Sequence, residues 1–240
     1  MMYGHRARIG YCSPLFVTEA FTYEFYRVVP AGVTLMISTL AIVTRSQEEI
    51  EKSHALSMQA ARQMAAAGAS VVVLGGNPIN LSLGVENLDD LIRGLEQKIG
   101  TAVTTSTTSQ IKALRLLGSR KVATVHPWVD AHHERHEESI RKFGCEPAGV
   151  RGAGDELVTV GGLSSEKAVD LARQIKREHP EADTIHFACA HWGVAEIIDE
   201  VEAELDVNVM TSQQAILWQA LRRAGITDPI QGYGRLFREF

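Results

Sequence analysis

Apolar residues follow two alternating rhythms along this chain. Short runs rich in β-branched residues lie at Ala7 to Cys12, Thr34 to Ile42, Ser70 to Leu74 and Thr101 to Thr105. Between them, apolar positions recur at helical spacing from Val17 to Val28, Gln47 to Ala67 and Leu88 to Ile99, the period that fills one face of a helix. Gly68 closes the longest of these, as glycine does beyond a helix C-terminus. The second half repeats the alternation. Strands are expected at Lys121 to Val125, Pro147 to Val150, Thr184 to Ala188 and Val207 to Met210, and helices at Ser109 to Leu117, Asp130 to Phe143, Ser165 to Glu178, Val194 to Leu205 and Gln213 to Ala224. Strands alternating with helices predict parallel sheets joined by right-handed crossovers.

The two halves share a layout. Val71-Val72-Val73-Leu74-Gly75-Gly76-Asn77 ends a strand in a turn of small residues, and Ile185-His186-Phe187-Ala188-Cys189-Ala190-His191 does the same. The expected fold is α/β, with two pseudo-symmetric doubly wound lobes. Residues 1–106 plus 212–240 form the first and 107–211 the second, with no linker between them. Ligands of such sheets bind beyond the carboxyl ends of the strands. Four ends matter here: Cys12-Ser13-Pro14, Gly75-Gly76-Asn77-Pro78, His126-Pro127-Trp128 and Cys189-Ala190-His191. They are expected to converge on a cleft between the lobes.

Composition narrows the class. A chain of 240 residues with 45% apolar residues can build a sizeable core. A net charge of −5 argues against a general nucleic-acid binder. No apolar stretch reaches the length of a membrane span, and Met1 to Arg6 lack an apolar signal core, so the cytoplasm is the expected location. Cys12, Cys145 and Cys189 are an odd, sparse set, which suits free thiols in a reducing compartment.

Cys189 follows a buried-type strand and precedes a helix expected near Gly193. Helical N–H groups there would hold a carboxylate or enolate and lower a thiol pKa; the plainer alternative is a small buried hydrophobe. Gly75-Gly76-Asn77-Pro78 is a turn that lets backbone approach a ligand. It lacks the Gly-x-Gly-x-x-Gly spacing of a dinucleotide site, and no Gly-Lys-Ser/Thr phosphate loop occurs. His132, His133 and His136 lie in a highly charged stretch that reads as a solvated helix face rather than a metal site. His191 can assist or orient Cys189, whereas His186 falls on the opposite strand face. Cys145 reads as structural.

At these strand ends the sequence resembles the aspartate/glutamate racemase superfamily, most nearly its arylmalonate decarboxylase and maleate cis-trans isomerase branch. The motifs are Val73-Leu74-Gly75-Gly76-Asn77 and Phe187-Ala188-Cys189-Ala190, supported by Thr104-Thr105-Ser106-Thr107 and Ala123-Thr124-Val125-His126-Pro127-Trp128. Racemases and isomerases of this superfamily use two facing cysteines. Here the second matches Cys189 and the first falls at Gly76, a glycine and single-cysteine pairing similar to that of arylmalonate decarboxylase. The resemblance implies a cofactor-independent decarboxylase of a malonate-like diacid, in which Cys189 protonates an enediolate. Ser13, Pro14, Gly76, Asn77, Pro78, Trp128, Ala190 and His191 would line the substrate site, with no metal. The decarboxylase has hydroxyl residues where Asn77 and Pro78 stand and a tyrosine donor where Trp128 stands. The alternatives are an isomerase or racemase of a small carboxylic acid using Cys12 as second thiol, a non-catalytic carboxylate-binding protein, and a Cys189–His191 hydrolase. The expected partner is a small carboxylate, not nucleic acid or membrane.

Overall fold

The computed structural model describes residues 3–44, 46–129, 133–156 and 159–240. These form two compact units. Unit 1 comprises residues 1–18, 25–109 and 216–228, and unit 2 comprises 19–24, 110–215 and 229–240.

Unit 1 is built on a four-stranded parallel sheet in the order β2-β1-β3-β4, from β1 (Ala7–Leu15), β2 (Val33–Ile42), β3 (Val71–Leu74) and β4 (Ala102–Thr105). The central strands carry apolar residues on both faces, as a parallel sheet covered by helices requires. All four residues of β3 are buried, each side chain contributing roughly 1.5–3 kcal/mol of burial free energy. The helices are α1 (Ala20–Val28), α2 (Gln47–Ala66), the short α3 (Asn77–Leu81), α4 (Leu88–Ile99) and α5 (Ser106–Leu116). Ser46 and Glu49 form a capping box that starts α2, satisfying two otherwise orphaned backbone donors. Gly68, at φ +86°, ends it; the N–H of Ala69 donates to the Met64 carbonyl at 2.9 Å, so the close rests on a conformation glycine adopts freely.

Unit 2 repeats the pattern with the order β6-β5-β7-β8, again parallel throughout. Its strands are β5 (Lys121–Trp128), β6 (Glu146–Asp155), β7 (Thr184–Phe187) and β8 (Asn208–Thr211), with α6 (His133–Lys142), α7 (Ser165–Glu178), α8 (Ile198–Leu205), α9 (Ser212–Arg223) and α10 (Arg235–Glu239). Pro147 is tolerated because β6 is an edge strand. The unit boundaries fall inside α1, α5 and α9. The C-terminal segment joins unit 2 because Leu236 and Phe237 are buried and the Arg235 N–H donates to Glu202 at 3.0 Å.

The two sheets confirm the α/β class and the internal repeat. In both units a helix begins directly after the fourth strand, with a reciprocal cap. The N–H of Thr108 donates to Thr105 Oγ1 at 3.0 Å and the N–H of Thr105 to Thr108 Oγ1 at 3.2 Å. In unit 2, Gln214 and Thr211 exchange the same pair at 2.9 and 3.3 Å. Among the described residues no helix is long and apolar enough to cross a membrane.

Candidate active site

In unit 1 the strand register brings three carboxyl ends level: Leu74 pairs with Cys12 on one side and Thr105 on the other. Pro14 lacks an N–H, and the register between β1 and β2 slips between Ser13 and Leu15. Ser13 is fully buried, and its hydroxyl has no hydrogen-bond partner among the described residues. Gly75 packs hard against the backbone; a Cβ there would lie 2.2 Å from the Cys12 carbonyl oxygen. Gly76 follows at φ +89°, where a Cβ would sit 2.9 Å from Pro14 Cβ and 3.0 Å from Ile79 Cδ1. The register and this contact bring Ser13, Pro14, Gly76 and Asn77 together at one end of the sheet. Pro78 is exposed at the start of α3, a position where its missing donor is harmless.

Asn77 is held from behind. Its Oδ1 accepts from Ser106 Oγ at 3.1 Å and from Thr107 Oγ1 at 3.0 Å. Ser106 in turn accepts from Asn80 Nδ2 at 2.9 Å, and the same amide donates to the Leu74 carbonyl at 3.1 Å. Asn80, Ser106 and Thr107 were not singled out as site residues from the sequence. The available signal was the amide three positions beyond Asn77, one helical turn away, in a segment that follows a strand end.

Cys12 does not face this end. It is completely buried, its Sγ lies 3.8 Å from the Ser57 carbonyl of α2, and burial pushes its pKa up to about 12. Burial of this kind disfavours the thiolate and turns the thiol toward α2, which counts against Cys12 as a second acid–base thiol.

In unit 2 Phe187 pairs with Val125 and with Thr211, which again aligns three strand ends. Cys189 stands two residues beyond β7, as Gly76 stands two residues beyond β3. The N–H of His191 donates to Cys189 Sγ at 3.3 Å, a contact that favours a developing thiolate. The helix expected near Gly193 begins later: a 3₁₀ turn spans Ala195–Ile197 and α8 follows. The Ala195 N–H donates to the Glu24 carboxylate at 2.7 Å, so this helical donor serves a buried side chain and the helix-terminus argument for Cys189 is corrected. Glu24 was not anticipated.

His191 is buried, with its ring centroid 6.3 Å from that of Phe21. Desolvation lowers its pKa to about 4, and that of buried His186 to about 3. Both imidazoles are therefore neutral at pH 7, and the imidazolium of a Cys–His nucleophilic pair is disfavoured. Trp128 ends β5, buried, and its N–H donates to His126 Nδ1 at 3.1 Å. Ala190 is half-buried in the turn after Cys189. Cys145 lies at the other end of the sheet, its Sγ 3.5 Å from the Ser119 carbonyl that precedes β5.

The histidine-rich helix departs from a purely solvated face. His136 stacks on buried His126 with centroids 4.3 Å apart, and His133 meets the same ring edge-on at 5.1 Å; His132 lies outside the described residues. Among the described residues no three His, Cys, Asp or Glu side chains gather as a metal site.

Comparison with known proteins identifies the family and the fold. The model of the family described as arylmalonate decarboxylase matches residues 24–237. The chain is 32% identical to arylmalonate decarboxylase of Bordetella bronchiseptica over 185 residues, 75% of each protein. Among solved structures, a glycine-to-cysteine, cysteine-to-serine double variant of arylmalonate decarboxylase in liganded form superposes with a TM-score of 0.87 at 26% identity, covering 98% of this chain and all of that one. Maleate isomerase from Pseudomonas putida S16 shares the fold, with a TM-score of 0.85 at 20% identity over 97% of this chain and 98% of that one. From the extent of the family match and the identity to the Bordetella enzyme, this chain belongs to the arylmalonate decarboxylase family.

Proposed function

We propose that this protein is a cofactor-independent decarboxylase of a malonate-like dicarboxylic acid, with Cys189 as its one proton-delivering residue. The observation that carries this reading is the pairing of Gly76 and Cys189 at equivalent positions of the internal repeat, two residues beyond β3 and β7, with Cys12 sealed beneath α2. One thiol remains where a two-cysteine racemase or isomerase needs two. The solved double variant of arylmalonate decarboxylase, with a glycine made cysteine and a cysteine made serine, marks the same pair of residue types in that relative.

The steps follow from electron accounting. One carboxylate leaves as carbon dioxide, and the C–C bonding pair passes into an enediolate on the remaining carboxylate. Donors at Asn77, the buried Ser13 hydroxyl and Trp128 hold that carboxylate, and stabilisation of such developing charge is usually the largest catalytic contribution. Pro14, Gly76 and Pro78 flank the donors of unit 1, and Ala190 and His191 flank Cys189 in unit 2. Cys189 then gives its thiol proton to the α-carbon. The resulting thiolate is met by the His191 N–H and regains a proton from water.

The test is a panel of phenylmalonate, alkylmalonates, maleate and amino acids, following carbon dioxide release beside isomerisation. Carbon dioxide from a malonate is the expected result; maleate isomerisation or racemisation without it points to the isomerase, and no turnover at all to a carboxylate-binding protein. Cys189→Ser should keep the fold and lose about 10²–10⁴-fold in rate, the usual contribution of general acid–base catalysis. Cys145→Ser, altered at the far end of the sheet, should turn over like the parent. Near-parental rates in Cys189→Ser would refute the role given to this thiol.

A further inference from the structure

We infer that Ser106 and Asn80 are positioning residues that fix which end of the Asn77 amide faces a ligand, and so make this end of unit 1 selective for a carboxylate. The inference rests on the reading of Asn77 as a carboxylate donor given above.

The argument starts from a group whose role is fixed. The Leu74 carbonyl, the last of β3, can only accept. Asn80 therefore turns its Nδ2 toward it, at 3.1 Å, and the same NH₂ reaches Ser106 Oγ at 2.9 Å. Ser106 accepts there, so its own proton is directed to Asn77, 3.1 Å away. A proton arriving at an amide finds the oxygen end, and Thr107 adds a second hydroxyl donor to that oxygen at 3.0 Å. Both lone pairs of Oδ1 are matched. Turning the amide over would bring NH₂ against two hydroxyls and cost Ser106 the acceptor for its proton. Asn80 and Ser106 are 2% and 3% exposed, so water is poorly placed to repair a broken link, and an unmatched buried donor carries a heavy penalty. The chain of donors from the sheet backbone thus holds Nδ2 away from Ser106 and Thr107, as a donor-only surface.

This gives Asn77 a role that a serine or threonine in its place would fill differently, since a hydroxyl can rotate to donate or accept. An amide locked at its oxygen end donates only, and a group that accepts without donating, such as an ionised carboxylate, is its match.

The test is a double-mutant cycle on phenylacetate affinity, measured by calorimetry with the full chain. Phenylacetate carries one carboxylate and cannot be decarboxylated by this route. Asn77→Ala should weaken binding roughly 10–100-fold, the size of a lost hydrogen bond to a charged group. Ser106→Ala should weaken it about 3–10-fold and lower the melting temperature, because one N–H of the buried Asn80 amide loses its acceptor. In the Asn77→Ala background, Ser106→Ala should have no further effect, because its influence passes through the amide. Thr107→Ala gives the same cycle should Ser106→Ala fail to fold. Asn77→Asp should stay folded, since the two hydroxyls still meet an oxygen, but should lose phenylacetate. If Asn77→Ala binds like the parent, or the parent binds no phenylacetate, the carboxylate reading of Asn77 falls and the relay with it. If Asn77→Ala weakens binding while Ser106→Ala does nothing, or the two losses multiply, the relay alone is overturned.

Discussion

Gly76 shows how one residue decides between chemistries on a shared fold. Its φ of +89° lies where side chains are strained, and a Cβ would press on Pro14 Cβ at 2.9 Å and Ile79 Cδ1 at 3.0 Å. Restoring a thiol by Gly76→Cys should cost about 1–3 kcal/mol of stability, the usual range for strain at such a position: Ile79 Cδ1 is a flexible end that can yield, whereas the Pro14 ring has to shift. The variant should fold, melt earlier, and gain racemisation of a 2-arylpropionate, followed by chiral chromatography. A folded variant with no racemisation would separate Gly76 from the reacting carbon. Gly75 is different: a Cβ there would lie 2.2 Å from the Cys12 carbonyl oxygen, backbone inside a sheet, and Gly75→Ala should not give a soluble folded protein.

Elements were legible where local signals and tertiary packing agree. The helix from Ser165 to Glu178 matches its expected limits, with Ser164 capping it through the Lys167 N–H, and β1 to β8 fall on the expected apolar runs, although β1, β5 and β6 extend beyond their expected ends to Leu15, Trp128 and Asp155. The helix behind Cys189 was legible in kind but not in its start. Val194 and Ile197 offer no capping side chain, and the carboxylate that takes the first donor comes from Glu24, 171 positions away. Separation in sequence also hid the Asn80–Ser106–Asn77 relay, whose members are 26 and 29 residues apart, whereas Gly76 and Cys189 could be found because strand ends are local features. Glu24 yields a prediction at this scale. Glu24→Gln keeps an acceptor for the Ala195 N–H and should be mild, while Glu24→Ala leaves a buried donor unmatched and should cost about 1–3 kcal/mol. If the turn between Cys189 and Ala195 depends on this anchor, turnover should fall in Glu24→Ala beyond what its melting temperature explains. Equal behaviour of the two variants would show that the carboxylate is not an anchor.

At the scale of the molecule, the buried histidines set a pH limit that belongs to one unit. His186 and His191 both lie in unit 2, and burial lowers their pKa values to about 3 and about 4, against roughly 6.5 in an unfolded chain. Between those values the unfolded state binds protons that the folded state refuses. Stability therefore rises with pH in this window: it is complete above about 6.5, falls as the solution is acidified, and levels off only below the folded values. The two shifts together correspond to several kcal/mol, a sizeable fraction of the roughly 5–15 kcal/mol typical of a folded protein. Surface carboxylates such as Glu178 and Glu204, whose pKa values are lowered by Arg151 and Arg173, respond at lower pH because they start below the ordinary carboxylate range. Acid loss beginning near pH 6 should thus trace to the histidines. Hydrogen exchange measured at pH 7, 5.5 and 4.5, corrected for intrinsic rates, should show β7 and β8 losing protection ahead of β1 and β3. His186→Gln should flatten the slope of stability against pH above pH 4 if it folds, because an amide has no proton to gain. Uniform loss across both units, or an unchanged slope in His186→Gln, would mean that the acid limit is set elsewhere.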